Sequence, residues 1–97
     1  EFTFGKPAQE LHNLVRGMNP WPIAFFIYEG KKVKVTRSRL ENMEGKPGEI
    51  LSTKPLIVAC QQGALQLVEV VPEGKRPMEG SAWAAGRRFS IGDCIEK

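Results

Sequence analysis

The 97-residue sequence has few of the residues that build metal centres and disulfide frameworks: it contains two cysteines and one histidine. Cys60 and Cys94 show no spacing typical of a metal site, and no secretory leader is readable, so we interpret both cysteines as reduced. We expect Cys60, in the apolar stretch IVAC, to be a buried core residue. His12 has no acid or serine near it in sequence, which favours a packing or hydrogen-bonding role over a catalytic one.

Long apolar runs are also missing. No stretch reaches the roughly 20 apolar residues of a membrane-spanning helix, so we expect no membrane partner. No nucleophile–base pair, phosphate-binding loop or metal cluster is recognisable, which speaks against a free-standing enzyme. Hydrophobic residues at 41% and charged residues at 26% are typical of a globular domain. Length predicts one domain over residues 1–97, and a start at Glu1 instead of a methionine suggests a fragment of a longer chain.

The stretch LHNLVRGMNPWP, residues 11–22, is predicted to end a helix and turn into the first strand. Apolar residues recur before and within it at helical spacing, at Ala8, Leu11, Leu14, Val15 and Met18. The pattern predicts a helix from Pro7 to Arg16 that ends at Gly17, with residues 1–6 as a linker tail pinned by phenylalanine side chains. We expect Trp21, between two prolines, to fill a pocket beside this helix.

After the helix, turn signals separate several short strands. Strands are predicted at residues 23–28, 31–39, 48–51, 56–60 and 64–71. The first two form a hairpin around Glu29-Gly30. In its second strand, alternation predicts that Val33 and Val35 face the core, with Lys32, Lys34 and Thr36 on the opposite face.

The strand 64–71 has apolar residues on both faces, which predicts a central strand covered on both sides. Strict alternation predicts Leu65, Leu67 and Glu69 on one face and Gln66, Val68 and Val70 on the other. The sequence then predicts a short helix from Pro77 to Ala85, with Met78, Ala82 and Ala85 on one face. A last strand is predicted at 88–91, followed by a loose end at 92–97.

Many short strands with brief peripheral helices indicate a mainly β fold. Closure into a barrel would protect the phenylalanine-rich first strand, which would be prone to aggregation as an exposed edge. We therefore predict a small open Greek-key barrel of the oligonucleotide-binding type, with an N-terminal helix and a short C-terminal helix, over residues 7–91.

The uneven distribution of charge is the feature most suggestive of function. The net charge is only +3, but five cations lie within nine residues that contain no acid, and two basic pairs follow. The candidate RNA-binding residues are Lys31, Lys32, Lys34, Arg37, Arg39, Lys75, Arg76, Arg87 and Arg88. Such a row can follow a phosphate backbone and release its counterions, although a solvated surface is the plain alternative. We expect Phe25, Phe26 and Tyr28 to be buried, which favours contacts with the backbone over stacking on bases.

Four stretches carry a resemblance to a known family. They are HNLVRGMNPWP at 12–22, GEIL at 48–51, IVACQQGALQLVEVVPEGKRPM at 57–78 and AAGRR at 84–88. With these stretches the chain resembles the C-terminal domain of methionyl-tRNA formyltransferases over about residues 6–88. The R-G-x-N-P-W-P run at 16–22 is the most distinctive of them, followed by A-C-x-x-G-A-L at 59–65.

The resemblance implies a non-catalytic accessory domain with a barrel of the oligonucleotide-binding type. The family's catalytic Asn, His and Asp lie in a separate domain that binds 10-formyltetrahydrofolate, and no segment here matches that domain. The implied partners are initiator methionyl-tRNA, whose acceptor end this domain would help orient, and the N-terminal catalytic domain of the same chain. The resemblance also implies a bacterial cytoplasm or an organellar matrix, and no metal or cofactor in this domain.

A second interpretation of the same resemblance stays open. The chain could be the C-terminal domain of a formyltetrahydrofolate-dependent enzyme acting on a small molecule, such as a sugar formyltransferase or a folate hydrolase. The barrel would then shape an active site without binding RNA. The basic strand and the GRR sequence at 86–88 favour RNA.

Overall fold

The computed structural model describes residues 3–17 and 24–95 of the chain. In chain order the elements are α1 (Ala8–Gly17), β1 (Phe25–Tyr28), β2 (Lys31–Glu41), β3 (Ile50–Thr53), β4 (Leu56–Ala59), β5 (Ala64–Pro72), β6 (Met78–Glu79) and α2 (Gly80–Arg87). The prediction of a mainly β fold with two short helices is confirmed. The packing expected for Trp21 lies outside the described residues.

The strands form one antiparallel sheet in the order β1-β2-β5-β4-β3, and β6 pairs with β5. Short turns join β3 to β4 and β4 to β5, whereas the longer connection over residues 42–49 carries the chain from β2 to the far side of the sheet. This is a Greek-key order of strands. The strand β5 has β2, β4 and β6 as neighbours, so the predicted central strand is confirmed.

Helix α1 matches its prediction to within one residue, and its start is tied to the turn between β4 and β5. The backbone N–H of Ala8 donates to the carbonyl of Gln62 at 2.8 Å, and the N–H of Gln61 donates to the carbonyl of Lys6 at 3.1 Å. Phe4, just before the helix, is fully buried. The segment that leads into α1 is therefore part of the core.

The hairpin β1–β2 closes through Glu29 and Gly30, as predicted. Both residues have positive φ, 51° and 78°, and Tyr28 pairs with Lys31 across the turn. Positive φ at both central residues defines a type I′ turn, whose twist matches that of the flanking strands. The turn therefore fixes the register between β1 and the first part of β2.

A pair of bulges interrupts the ladder between β2 and β5. The pairing runs from Val35 with Val70 to Arg37 with Glu69 and then to Ser38 with Leu67, so it skips one residue in each strand. A bulge places two successive side chains on the same face and shifts the alternation beyond it. Because each strand has one bulge, the two strands return to the original register.

The bulges overturn the predicted faces of β5. Leu65, Leu67 and Val70 are all buried, with exposures of 0%, 1% and 0%. The prediction that Val70 lies opposite Leu65 and Leu67 is therefore wrong. A bulge has no signature in the alternation of this sequence, because Val68 and Val70 are equally apolar.

The C-terminal helix begins later than predicted. Met78 pairs with Val70 as part of β6, so α2 starts only at Gly80. Its buried residues are Gly80, Trp83 and Ala84, whereas Ala82 and Ala85 are exposed. The predicted apolar face of this helix is therefore wrong, because a later start rotates a different stripe toward the core.

The predicted strand at 88–91 is also wrong. Arg88 adopts a left-handed conformation that ends α2, with φ 59°, and its N–H donates to the carbonyl of Ala85 at 3.1 Å. The chain then turns, and the N–H of Ser90 donates to the carboxylate of Asp93 at 2.8 Å. Hydrogen bonds within this turn replace those of a strand.

The segment 92–95 is bound to the sheet, not a loose end. The N–H of Ile50 donates to the carbonyl of Asp93 at 2.7 Å, and the N–H of Ile95 donates to the carbonyl of Gly48 at 2.8 Å. Ile95 is buried. These bonds cover the outer side of β3, which would otherwise present unpaired backbone groups.

An aromatic cluster joins α2 to β1. The ring centroid of Trp83 lies 6.0 Å from that of Phe26, 5.4 Å from that of Tyr28 and 5.2 Å from that of Phe89, all in edge-to-face geometry. Trp83 is 5% exposed and therefore packs in the core. Edge-to-face pairs of this kind each add about 0.5–1.5 kcal/mol beyond the area they bury.

We expect Gly80→Ala to destabilise the fold by about 1–3 kcal/mol, as overpacked core substitutions do. A Cβ atom at Gly80 would overlap the carbonyl oxygen of Leu67, a backbone atom that cannot rotate away. The matched control is Gly86→Ala in the same helix, where a Cβ would have no neighbour within 4 Å. Urea unfolding of both variants measures the effect. The control should be unchanged or up to about 1 kcal/mol more stable. Equal midpoints for the two variants would contradict the close approach of α2 to β5.

The stability of the fold should depend on pH through His12. His12 is half-buried and its Nδ1 lies 2.7 Å from the hydroxyl oxygen of Ser38, as the hydrogen-bonding interpretation required. Burial first, and then the charge of Arg16, hold the pKa of His12 below its ordinary value. The unfolded chain therefore takes up the proton before the folded one as the pH falls below about 6.5.

The contribution of neutral His12 to the free energy of unfolding is thus present above about pH 6.5 and is lost as the pH falls below that value. We expect the Tm of the parent to fall more between about pH 7.5 and about pH 5.5 than the Tm of His12→Gln, which keeps a hydrogen-bonding side chain. Thermal melts at both pH values measure this difference. Parallel Tm–pH curves for the two proteins would refute it.

Candidate nucleic-acid interface

The paired bulges decide where the cations of β2 point. Strict alternation from Val33 and Val35 would turn residues 37 and 39 toward the core. Instead the bulge keeps Thr36 and Arg37 on the outer side, and all five cations of the strand are exposed. We call four of them, which lie on the outer side, the basic face: Lys32, Lys34, Arg37 and Arg39. They span about 23 Å at the usual rise of a strand.

The hairpin end of the basic face is bonded to the loop between β5 and β6. The backbone N–H of Lys32 donates to Oε1 of Glu73 at 3.0 Å, and the N–H of Glu73 donates to the carbonyl of Lys32 at 2.9 Å. The ammonium of Lys32 lies 4.8 Å from the ring centroid of Phe25, within range of a cation–π contact. The position of Lys32 is therefore held from two sides.

This loop brings a cation from a distant part of the sequence to the basic face. Lys32, Lys34 and Lys75 line one groove of about 410 Å³, together with Pro72 and Glu73. Lys75 is placed by a turn in which its N–H donates to the carbonyl of Pro72 at 2.9 Å. Three of the predicted residues thus meet in one groove that can hold an anion.

A second, smaller cleft lies beside this groove. Lys31, Lys75 and Arg87 contribute to its lining, and the rings of Tyr28 and Trp83 do so as well. The sequence pattern does not mark Tyr28 and Trp83 as members of a site. No signal in the sequence could have done so, because the cleft joins three segments that only the tertiary fold brings together.

The remaining predicted cations are dispersed. Arg76 and Arg88 are exposed but line neither the groove nor the cleft. Arg37 and Arg39 lie at the α1 end of the basic face, away from the loop.

Acidic residues weaken the field around Arg37. Glu69 pairs with Arg37 across the strands, and its Oε1 accepts a hydrogen bond from the hydroxyl of Thr36 at 2.7 Å. On its other side Glu69 pairs with Glu79 of β6. Arg37 thus has two acids nearby, whereas the groove of the three lysines has one acid, Glu73, in its lining.

The described residues offer surface charge and not a metal centre. Within residues 3–17 and 24–95, no group of three or more His, Cys, Asp or Glu is arranged to hold a metal ion. Cys60 is buried, as expected, and its thiol lies 3.8 Å from the carbonyl oxygen of Val58. No helix in the described part of the chain is long and apolar enough to cross a membrane.

Among solved structures, the chain is similar to HypX from Aquifex aeolicus, determined in complex with tetrahydrofolic acid. The TM-score is 0.65 at 18% sequence identity, and the match covers 79% of this chain and 14% of that chain. At this identity the similarity shows the fold alone.

Curated relatives are similar over nearly the whole chain. The methionyl-tRNA formyltransferase of Macrococcus caseolyticus is 36% identical over 91 residues, covering 92% of this chain and 29% of the relative. That of Streptococcus pyogenes is 41% identical over 91 residues, covering 90% and 29%. The chain thus spans less than a third of the length of these relatives. A model of the formyl transferase C-terminal domain matches residues 1–88, so the chain belongs to this family of formyltransferase C-terminal domains.

Proposed function

We propose that this chain is the non-catalytic, tRNA-binding domain of a methionyl-tRNA formyltransferase. Its basic face, with Lys75, binds the tRNA backbone and helps orient the acceptor end toward an N-terminal catalytic domain. The observation that carries this proposal is the outward display of four cations on one strand, two of them by alternation and two by the paired bulges. The relatives named as methionyl-tRNA formyltransferases support the choice of tRNA over a small-molecule substrate.

The chemistry of the basic face suits contact with phosphates. A row of lysine and arginine side chains neutralises phosphates and releases condensed counterions, which gives affinity without sequence selectivity. With few contacts and nearby acids, the isolated domain binds tRNA weakly, at about 10⁻⁴–10⁻⁶ M. Selection of the initiator methionyl-tRNA then belongs mainly to the catalytic domain.

The proposal also covers the closure of the sheet, the cell compartment and the cofactor of the parent protein. We infer that the open sheet is a partly closed barrel of the oligonucleotide-binding type, which its Greek-key strand order supports. The parent protein acts in a bacterial cytoplasm or an organellar matrix. Its 10-formyltetrahydrofolate binds to the catalytic domain, which the family of this chain supports.

We expect the double variant Lys32→Ala/Lys34→Ala to bind all tRNAs more weakly and by the same factor. The slope of log K against log salt should flatten by roughly 1.5 units, since two phosphate contacts are lost. Folding should change by less than about 0.5 kcal/mol for each exposed residue. Filter binding or anisotropy at several salt concentrations measures both quantities.

The matched control is Lys46→Ala/Lys54→Ala, which removes the same charge from exposed positions in the 42–49 connection and the β3–β4 turn. This control should keep most of the affinity and the salt slope. If both double variants bind like the parent, the basic face is only a solvated surface, and the small-molecule alternative gains support. If both lose affinity equally, net charge and not the basic face determines binding.

We also expect the purified domain to transfer no formyl group. Mixed with methionyl-tRNA and 10-formyltetrahydrofolate, it should yield no formylmethionyl-tRNA, whereas a parent protein carrying the catalytic domain should. In the parent, the Lys32→Ala/Lys34→Ala change should raise KM for tRNA more than it lowers kcat, because a remote contact contributes mainly to binding. Product formed by the domain alone would contradict the assignment.

A further inference from the structure

The cleft beside the groove of Lys32, Lys34 and Lys75 has aromatic rings in its lining and cations at its rim. Its volume is about 100 Å³, and it lies where the β1–β2 turn, the β5–β6 loop and helix α2 meet. Tyr28 and Trp83 contribute rings, and Lys31, Lys75 and Arg87 contribute charges. Flat apolar surface beside positive charge is the chemistry that recognises a nucleotide.

The aromatic part of the cleft is rigid. Tyr28 is half-buried, and its ring centroid lies 5.4 Å from that of Trp83 and 5.4 Å from that of Phe89, with interplanar angles of 80° and 88°. Two edge-to-face contacts thus fix the orientation of the Tyr28 ring. A ring held in place loses little conformational entropy when a ligand stacks on it.

Both acids of the cleft already have partners. Glu29 lies 3.9 Å from the guanidinium of Arg87, and the carboxylate of Glu73 accepts the N–H of Lys32 at 3.0 Å. Lys31 and Lys75 form no ion pair within residues 3–17 and 24–95. These two ammonium groups are therefore available to a phosphate.

We propose that this cleft binds one nucleotide of RNA whose base is unpaired, with the base against Tyr28 and the phosphate between Lys31 and Lys75. The proposal rests on the RNA-binding function proposed above and adds a base contact to it. A paired base is covered by its stacked neighbours and its partner, so a duplex can offer this cleft only phosphates. Burial, together with the charge of Glu29, raises the pKa of Tyr28, so its hydroxyl stays protonated and can donate a hydrogen bond.

The test compares three probes of equal length, about eight nucleotides each: an unpaired RNA, an abasic ribose-phosphate oligomer and an RNA duplex. Fluorescence anisotropy at several salt concentrations gives affinity and salt slope. We expect the parent to bind the unpaired RNA about tenfold tighter than the abasic oligomer, with the same salt slope, because stacking releases no counterion. The duplex should show no such advantage.

Two substitutions at the same position separate the ring from the rest of the side chain. Tyr28→Phe keeps the ring and should keep most of the preference for the unpaired RNA. Tyr28→Leu removes the ring, and the unpaired RNA should then bind no better than the abasic oligomer. Lys31→Ala and Lys75→Ala should weaken the binding of both oligomers and flatten their salt slopes.

NMR on the parent provides a measurement that does not depend on the folding of a variant. The unpaired RNA should shift the Tyr28 and Lys31 amides and the indole N–H of Trp83, and the abasic oligomer should leave the indole resonance unmoved. Shifts confined to the basic face with either probe would overturn the proposal.

The outcomes separate this inference from the function on which it rests. Salt-dependent binding with equal affinity for unpaired and abasic oligomers would overturn the nucleotide cleft and leave the backbone contact intact. Loss of all salt-dependent RNA binding would overturn both. Free adenosine monophosphate bound as tightly as the unpaired RNA would show a site for small nucleotides and overturn the assignment to RNA.

Discussion

The paired bulges between β2 and β5 are the constraint on which both the core and the charged surface depend. One extra residue in each strand keeps the register on either side while reversing which positions face inward. The same irregularity buries Val70 with Leu65 and Leu67 and turns Arg37 outward beside Lys34. Without the bulges, Arg37 and Arg39 would point into the core, where unpaired charges cost several kcal/mol each.

Helix α2 and the segment after it pack closely against the sheet. Helix α2 approaches β5 so closely that only a glycine fits at Gly80, and this approach brings Trp83 among the rings of β1. The segment after α2 then bonds to Ile50 of β3 and to Gly48 just before it, and buries Ile95. The aromatic cluster therefore does two things at once: it anchors α2, and it presents one half-buried ring, Tyr28, to the cleft beside the cations.

The distribution of charge suits a domain that holds a large polyanion loosely. The cations belong to a rigid strand and to one loop bonded to it, so their spacing is fixed before binding, while Glu69 and Glu79 limit the field at the α1 end. A surface of this kind favours fast, salt-sensitive association over tight binding. On the function proposed above, weak contact with the tRNA backbone would allow release of the product after each transfer.

The sequence by itself determined the mainly β class, the helix α1, the Glu29-Gly30 hairpin and the alternation of Val33 and Val35 with Lys32 and Lys34. These features depend on local turn chemistry and on periodicity, which a sequence records directly. Only the tertiary structure decided the inward side of Val70, the start of α2, the attachment of residues 92–95 and the meeting of Tyr28 with Lys75. Bulges, cross-strand pairing and the approach of distant segments depend on which surfaces pack together, and neighbouring residues in a sequence carry no record of that.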